Sequence, residues 1–163
     1  MATAQEIVGK HTADAPVNIE GLVEDLGVEL VRKADLHPLI AGQIECIEPN
    51  RFRISVNKND HYYRRRFTTA HELAHFLLHR NLIARGVDDT KAYRSLDIGN
   101  FNNQNITREH EVEANRFASR VLMPKDLVRK YHGEYAGDIT LLAKKFQVSE
   151  EAMGYRLQAL GLA

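Results

Sequence analysis

The pentad His71-Glu72-Leu73-Ala74-His75 constrains this chain more than any other feature, because it sits inside a stretch whose apolar residues already repeat as a helix. Phe67, Ala70, Leu73, Ala74, Leu77 and Leu78 recur at three and four residues, so Arg64 to Leu82 reads as a largely buried helix, with Thr68 or Thr69 placed to cap it if it starts late. At about 100° per residue, His75 lies about 40° around that helix from His71 and one turn along it. Both imidazoles therefore reach one ion. Glu72 lies about 60° beyond His75, where a carboxylate reaches water beside the ion without ligating it. The bland alternative, two ordinary histidines of a helix surface or core, does not account for that helix placement.

Zinc in such a site acidifies water and polarises a carbonyl, and Glu72 as general base takes the proton and passes it to the leaving amine, the chemistry of amide hydrolysis. The same ligand types are compatible with Mn2+ or Fe2+. A third protein ligand is needed. Cys46 is the only cysteine, which excludes an intrachain disulfide and a four-thiolate site and leaves His, Asp or Glu. Thr107-Arg108-Glu109-His110 has the form of a capped helix start, and Val112, Ala114, Phe117, Ala118, Val121 and Leu122 continue it to Pro124. Glu113, one turn before Phe117 and two before Val121, is the expected third ligand. Glu111, one turn before Asn115, is its rival, and Glu109 and Glu111 also suit the positive end of a helix. His79 and His110 are weaker candidates: His79 lies about 12 Å along the helix from His71 and reads as a structural or surface residue.

Upstream, Ala4–Lys10 and the segment opened by Pro16 read as short helices, with Gly27 ending the second. Residues 28–32, 42–47 and 52–56 alternate as strands, with Pro49-Asn50 as a turn, which gives a small three-stranded antiparallel sheet. Residues 81–107 form a long polar connection, with a short strand expected near 92–96 and a substrate-facing flap as its expected role. The chain is expected to be a single α+β domain over 1–163. Residues 138–163, two short amphipathic segments joined at Val148-Ser149, are a candidate helix-turn-helix-like C-terminal subdomain.

The segment Arg66 to His79, followed by Glu111-Val112-Glu113-Ala114-Asn115-Arg116-Phe117-Ala118 and Val121-Leu122-Met123-Pro124, resembles the ImmA/IrrE family of metallo-endopeptidases. The resemblance extends weakly through Pro16 to Gly27, Ile54 to Asn57 and Ala143 to Leu160. It implies a zincin-like, minimal gluzincin domain, a zinc ion on His71, His75 and Glu113, and Glu72 as base. It also implies a partner, a helix-turn-helix repressor or antitoxin, of the kind found in phage, mobile-element, stress-response or toxin-antitoxin settings. Where the gluzincin pattern often has an acid four residues after the glutamate, this chain has Phe117, so the group that supports His71 or His75 is not identified from the resemblance. The competing reading is a zinc-containing binding module, or toxin partner of an Xre-type antitoxin, with little turnover.

Twenty-two Lys and Arg balance twenty-two Asp and Glu, so no global charge draws the chain to nucleic acid or membrane. Lys144, Lys145 and Arg156 are accompanied by Glu150 and Glu151, which leaves the C-terminal pair without a basic stripe for DNA. No apolar run approaches the ~18 residues of a span, and the expected compartment is the cytoplasm. The stretch from Arg51 to Arg94 is locally basic and includes Arg64-Arg65-Arg66, read as a solvated face that could attract an acidic substrate. Tyr63, Tyr93, His110, Tyr131 and His132 are chemically able to stabilise an oxyanion.

Overall fold

The computed structural model describes residues 1–83 and 106–163, together with the backbone of 91–95. The architecture is α+β, and the elements expected from periodicity are present. Helices α1 (Ala4–His11) and α2 (Ile19–Asp25) lead into strands β1 (Glu29–Ala34), β2 (Ile40–Glu48) and β3 (Arg51–Asn57). Helix α3 (Tyr62–Leu78), a short α4 (Arg80–Ile83) and β4 (Lys91–Ser95) follow, then α5 (Arg108–Leu122), α6 (Lys125–Glu134), α7 (Ile139–Phe146) and α8 (Glu150–Ala159). No helix among the described residues is long and apolar enough to cross a membrane.

Local chemistry sets the ends of the central helices. His61 caps α3 by accepting from Tyr63 N–H through Nδ1, so the helix starts earlier than Thr68 or Thr69 would have set it. Thr69 lies inside the helix and donates back to the carbonyl of Arg65. Thr107 caps α5 as expected, with His110 completing a reciprocal pair of bonds.

The sheet differs from the expected one in two respects. It has four strands in the order β1-β3-β2-β4, and β1 runs parallel to β3, whereas β2 pairs antiparallel with both β3 and β4. Alternation along single strands carries no information about which strand lies beside which, and a buried side chain ties the connection between two of them. Asn57, 1% exposed, donates to the carbonyls of His37 at 3.2 Å and Ile40 at 3.0 Å, which pins the β1–β2 connection over the end of β3. The expected strand near 92–96 is β4; the rest of the proposed flap lies outside the described residues, as does the side chain of Tyr93.

Helix α3 packs on β2 and β3 with one side and on α5 with the other, and it carries the functional pentad. Its close approach to the sheet depends on Gly42 in β2. A Cβ there would fall on Thr68 Cγ2 and within 3.0 Å of the Ser55 carbonyl oxygen. The apolar core continues from Leu22, Ile44 and Ile54 through Leu73 and Leu122 to Phe146 and Met153, so α7 and α8 share the core that α3 closes. Arg66 strengthens that join: only 4% exposed, it donates to the carbonyls of Phe146 and Gln147 at the end of α7. The basic triplet is therefore not one solvated face. Arg65 donates to the carbonyls of Asp60 and Arg32, and Arg64 pairs with Asp60 at 3.6 Å.

The N-terminal segment is tied to α6 by Tyr131, 6% exposed, whose hydroxyl donates to Asp14 at 2.7 Å. That bond holds the Asp14 carboxyl below its ordinary range and pushes the Tyr131 phenol up to about 12.

Two tests follow from these contacts. Gly42→Ala should destabilise the fold by about 1–3 kcal/mol in urea denaturation, and Thr68→Ser, which removes the obstructing methyl, should recover part of the loss. Stability linked to Tyr131 should be full below its unfolded pKa of about 10 and disappear as pH rises through its folded value; that linked to Asp14 should be present above about pH 4 and fade as pH falls through its lowered value. Ultraviolet titration should show one phenol ionising near 12, moving toward about 10 in Asp14→Asn.

Candidate metal centre

The inward face of α3 places His71, Glu72 and His75 at 0%, 0% and 1% exposure. Ionisable groups so deep in a protein require compensation by hydrogen bonds or opposite charge. Helix α5 supplies much of it. Glu111 and Asn115, one turn apart, face the two histidines. Glu111 Oε1 lies 2.6 Å from His75 Nε2 and 3.4 Å from His71 Nε2, and the two Nε2 atoms are 3.2 Å apart.

The other ring nitrogens determine what this convergence can hold. His71 Nδ1 donates to Asn115 Oδ1 at 2.8 Å, and a carbonyl oxygen can only accept, so the proton of a neutral His71 sits on Nδ1 and its Nε2 lone pair points inward. His75 Nδ1 meets His79 Nδ1 at 2.9 Å, which lets His79 orient His75 in the same sense. Two imidazole lone pairs and a carboxylate then aim at one point. Donors about 2.0–2.1 Å from a tetrahedral zinc stand about 3.3 Å apart, which two of the three separations match and the hydrogen-bonded third undercuts. The residues present fit a divalent ion of the zinc class. Burial alone would raise the Glu111 carboxyl, but hydrogen bonds and charge from His71 and His75 outweigh it and hold the group well below the carboxylate range.

His71 and His75 are thus brought together as expected, with Glu72 buried beside them but outside the three converging ligand atoms. Glu113 is not. It is half-exposed, and its Oε1 is 3.7 Å from His79 Nε2. The reason is helical geometry: Glu113 is about 200° around α5 from Glu111, so one helix cannot aim both at the same point. The buried residues of α5 are Ala114, Ala118, Val121 and Leu122, and Glu111 stands three, seven and eleven residues before three of them. That spacing was the signal for Glu111; Phe117, only partly buried, drew the expected stripe too far round, although Val121 beyond it is buried.

His79, expected to be structural or exposed, is 6% exposed and touches His75 directly. Burial pushes its imidazole below the usual histidine range, the neighbouring His75 and His110 add to this, and Glu113 opposes it. Two of the oxyanion candidates are occupied elsewhere: Tyr131 bonds Asp14, and His132 bonds the carbonyl of Leu162. His110 takes part in the cap of α5 with Thr107, and its ring lies tilted, 4.5 Å from the His79 ring.

A cavity of about 860 Å3 lies between α3, α5 and α8, with Asn115 in its wall. Phe67, Val112, Met123 and Tyr155 give it apolar surface, and Arg64, Arg116, Arg120 and Arg156 line it with one acid, Glu151; Arg156 also donates to the carbonyl of Met123. Elsewhere in the basic stretch, Arg51 pairs with Glu29 and Glu48, Arg53 with Glu29 and Glu45, and Lys58 with Asp35.

The model of the Peptidase_M78 family, the IrrE N-terminal-like domain, matches residues 22–158. The chain belongs to that family. The family's metallopeptidase character agrees with the His/Glu cluster between α3 and α5, and the match runs from within α2 through the sheet into α8. No curated protein gives a significant match. For this Peptidase_M78 chain, Glu111→Gln should lose tightly held metal. Asn115→Ala should weaken affinity about 10–100-fold, and Glu113→Gln should keep one ion per chain, as read by elemental mass spectrometry and chelator competition.

Proposed function

We propose that this chain is a zinc-dependent endopeptidase that hydrolyses a peptide bond in a specific protein, with His71, His75 and Glu111 as metal ligands and Glu72 as general base. The convergence of His71, His75 and Glu111 beside the buried Glu72 is the observation that carries the reading. Zinc bound there supplies Lewis acidity, which polarises the scissile carbonyl and makes water a better nucleophile at neutral pH. Glu72 accepts the proton of the attacking water and returns it to the leaving amine nitrogen. Asn115 and His79 keep the two imidazoles aimed, so the site need not reorganise as charge develops.

The proposed substrate is a helix-turn-helix repressor or antitoxin, a reading supported by the family resemblance. The cavity beside Asn115 adds a chemical preference, because its apolar wall and four arginines against one acid favour an apolar segment with acidic neighbours. An extended segment of such a protein can also add to a sheet edge, held by main-chain hydrogen bonds.

The test is incubation of the zinc-loaded chain with a neighbouring helix-turn-helix protein, followed by intact-mass analysis. Cleavage should fall by about 10²–10⁴-fold in Glu72→Gln while metal content is unchanged. Equal cleavage by Glu72→Gln would remove Glu72 from the mechanism. Partner binding without cleavage by either protein would favour the binding-module reading.

A further inference from the structure

A second set of ligand atoms lies beside the first: His79, the C-cap of α3, is one turn past His75, and His110 and Glu113 stand on either side of Glu111 in α5. His79, His110 and Glu113 each offer one, all within 4.8 Å of one another. His79 is 6% exposed, and its Nε2 is buried without a hydrogen-bond partner, facing Glu113 Oε1 at 3.7 Å. A buried ring nitrogen left in that state costs free energy that a ligand can recover. We propose that His79, His110 and Glu113 form a second, weaker site for a divalent cation such as zinc, and that filling it loosens the ion held by His71, His75 and Glu111. The second half of that statement rests on the function proposed above; the first half does not.

The donor set suits zinc: two imidazoles and a carboxylate, with water to complete a tetrahedron. It is looser than the first, since a closed tetrahedral site wants separations of about 3.3 Å. Closure is open to it because Glu113 is half-exposed and free to swing inward. His110 can present a bare Nε2 when its Nδ1 proton is donated to Thr107 Oγ1, 3.1 Å away, at the cost of the bond from Thr107 N–H, an exposed group that water can satisfy. These adjustments make the second site the weaker one.

The coupling comes from counting protons. The contact between His75 Nδ1 and His79 Nδ1, 2.9 Å long, holds one proton. When His75 offers its Nε2 lone pair to the first ion, that proton belongs to His75 Nδ1, so a neutral His79 carries its own proton on Nε2 and cannot ligate. When His79 Nε2 ligates the second ion, its proton moves to Nδ1 and is donated to His75 Nδ1. His75 is then protonated on Nε2 and lost to the first ion. Two neutral rings joined in this way cannot serve both sites, so filling one opposes filling the other, and excess zinc should act as an inhibitor through residues outside the cluster of His71, His75 and Glu111.

The experiment is a zinc titration of the full chain labelled with 15N in its histidine rings, read by long-range proton–nitrogen correlation, which reports the state of each ring nitrogen, with chelator competition for affinity. The first equivalent should shift Nε2 of His71 and His75. Further zinc should shift Nε2 of His79 and His110 while His75 Nε2 gains a proton and first-site affinity falls at least about tenfold. In Glu113→Gln, an exposed position that the fold tolerates, the first event should persist and the second should need at least about tenfold more zinc. Signals of His79 and His110 that stay in place to about a hundredfold excess of zinc overturn the second site, as does an unchanged second event in Glu113→Gln. A second event that leaves His75 unaltered overturns the coupling. Absence of the first event alone counts against the proposed peptidase and leaves the second site standing.

Discussion

The structure depends on burying an ionisable row, His71, Glu72 and His75, inside the helix that also closes the core. An uncompensated group of this kind costs several kcal/mol, a large share of what a domain of this size has in hand. The compensation is supplied largely from one direction: α5 sets Glu111 against both Nε2 atoms and Asn115 against His71 Nδ1. The packing of α3 on α5 is therefore at once the closing of the core and the assembly of the centre. Neither helix could shift by a fraction of a turn without separating the ligands, and an ion that binds all three holds the helices together in return.

The same dependence explains why the sheet is built as it is. Helix α3 can approach β2 closely because Gly42 has no side chain, and Asn57 fixes the connection that lets β3 lie between β1 and β2. Arg66 reaches past the core to the last carbonyls of α7, where Gln147, with φ of 55°, turns the chain into α8. The C-terminal pair is thus fastened to the functional helix itself. Its exposed face, with Leu141 and Tyr155, lies outward while Phe146, Met153 and Leu157 go inward.

Much of this was legible in the sequence, and what was not has a common cause. The helical stretch around the pentad, the cap at Thr107, the stop at Pro124 and the three alternating strands are all local, set by propensity and periodicity within one turn or one hairpin. The parallel pairing of β1 with β3, the burial of Arg66 and the contact of His79 with His75 are set by what comes to lie beside them. The choice between Glu111 and Glu113 falls between these cases. Both follow the same capped start, and the decision depends on the centre of the buried stripe, which Ala114 and Ala118 mark more faithfully than larger residues do. Small residues mark it because α3 and α5 approach closely there; bulky ones can lie at the edge of an interface and still bury part of their surface.

In the proposed peptidase, placing the ligands on helices rather than loops has a further consequence for how selectivity would arise. The imidazoles are fixed by second hydrogen bonds to Asn115 and His79, so little of a substrate's binding energy would be needed to order them. That energy can be used for discrimination instead. Asn115 belongs both to the support of His71 and to the wall of the arginine-edged cavity, which makes the two functions neighbours on one side chain. Helix α5 thereby carries Glu111 for the centre, Asn115 for its orientation, and Arg116 and Arg120 for the surface a protein would meet on approach. In the proposed function, a substrate held by those arginines would be positioned by the same rigid element that aligns the reacting groups, so misplacement of one would be misplacement of both.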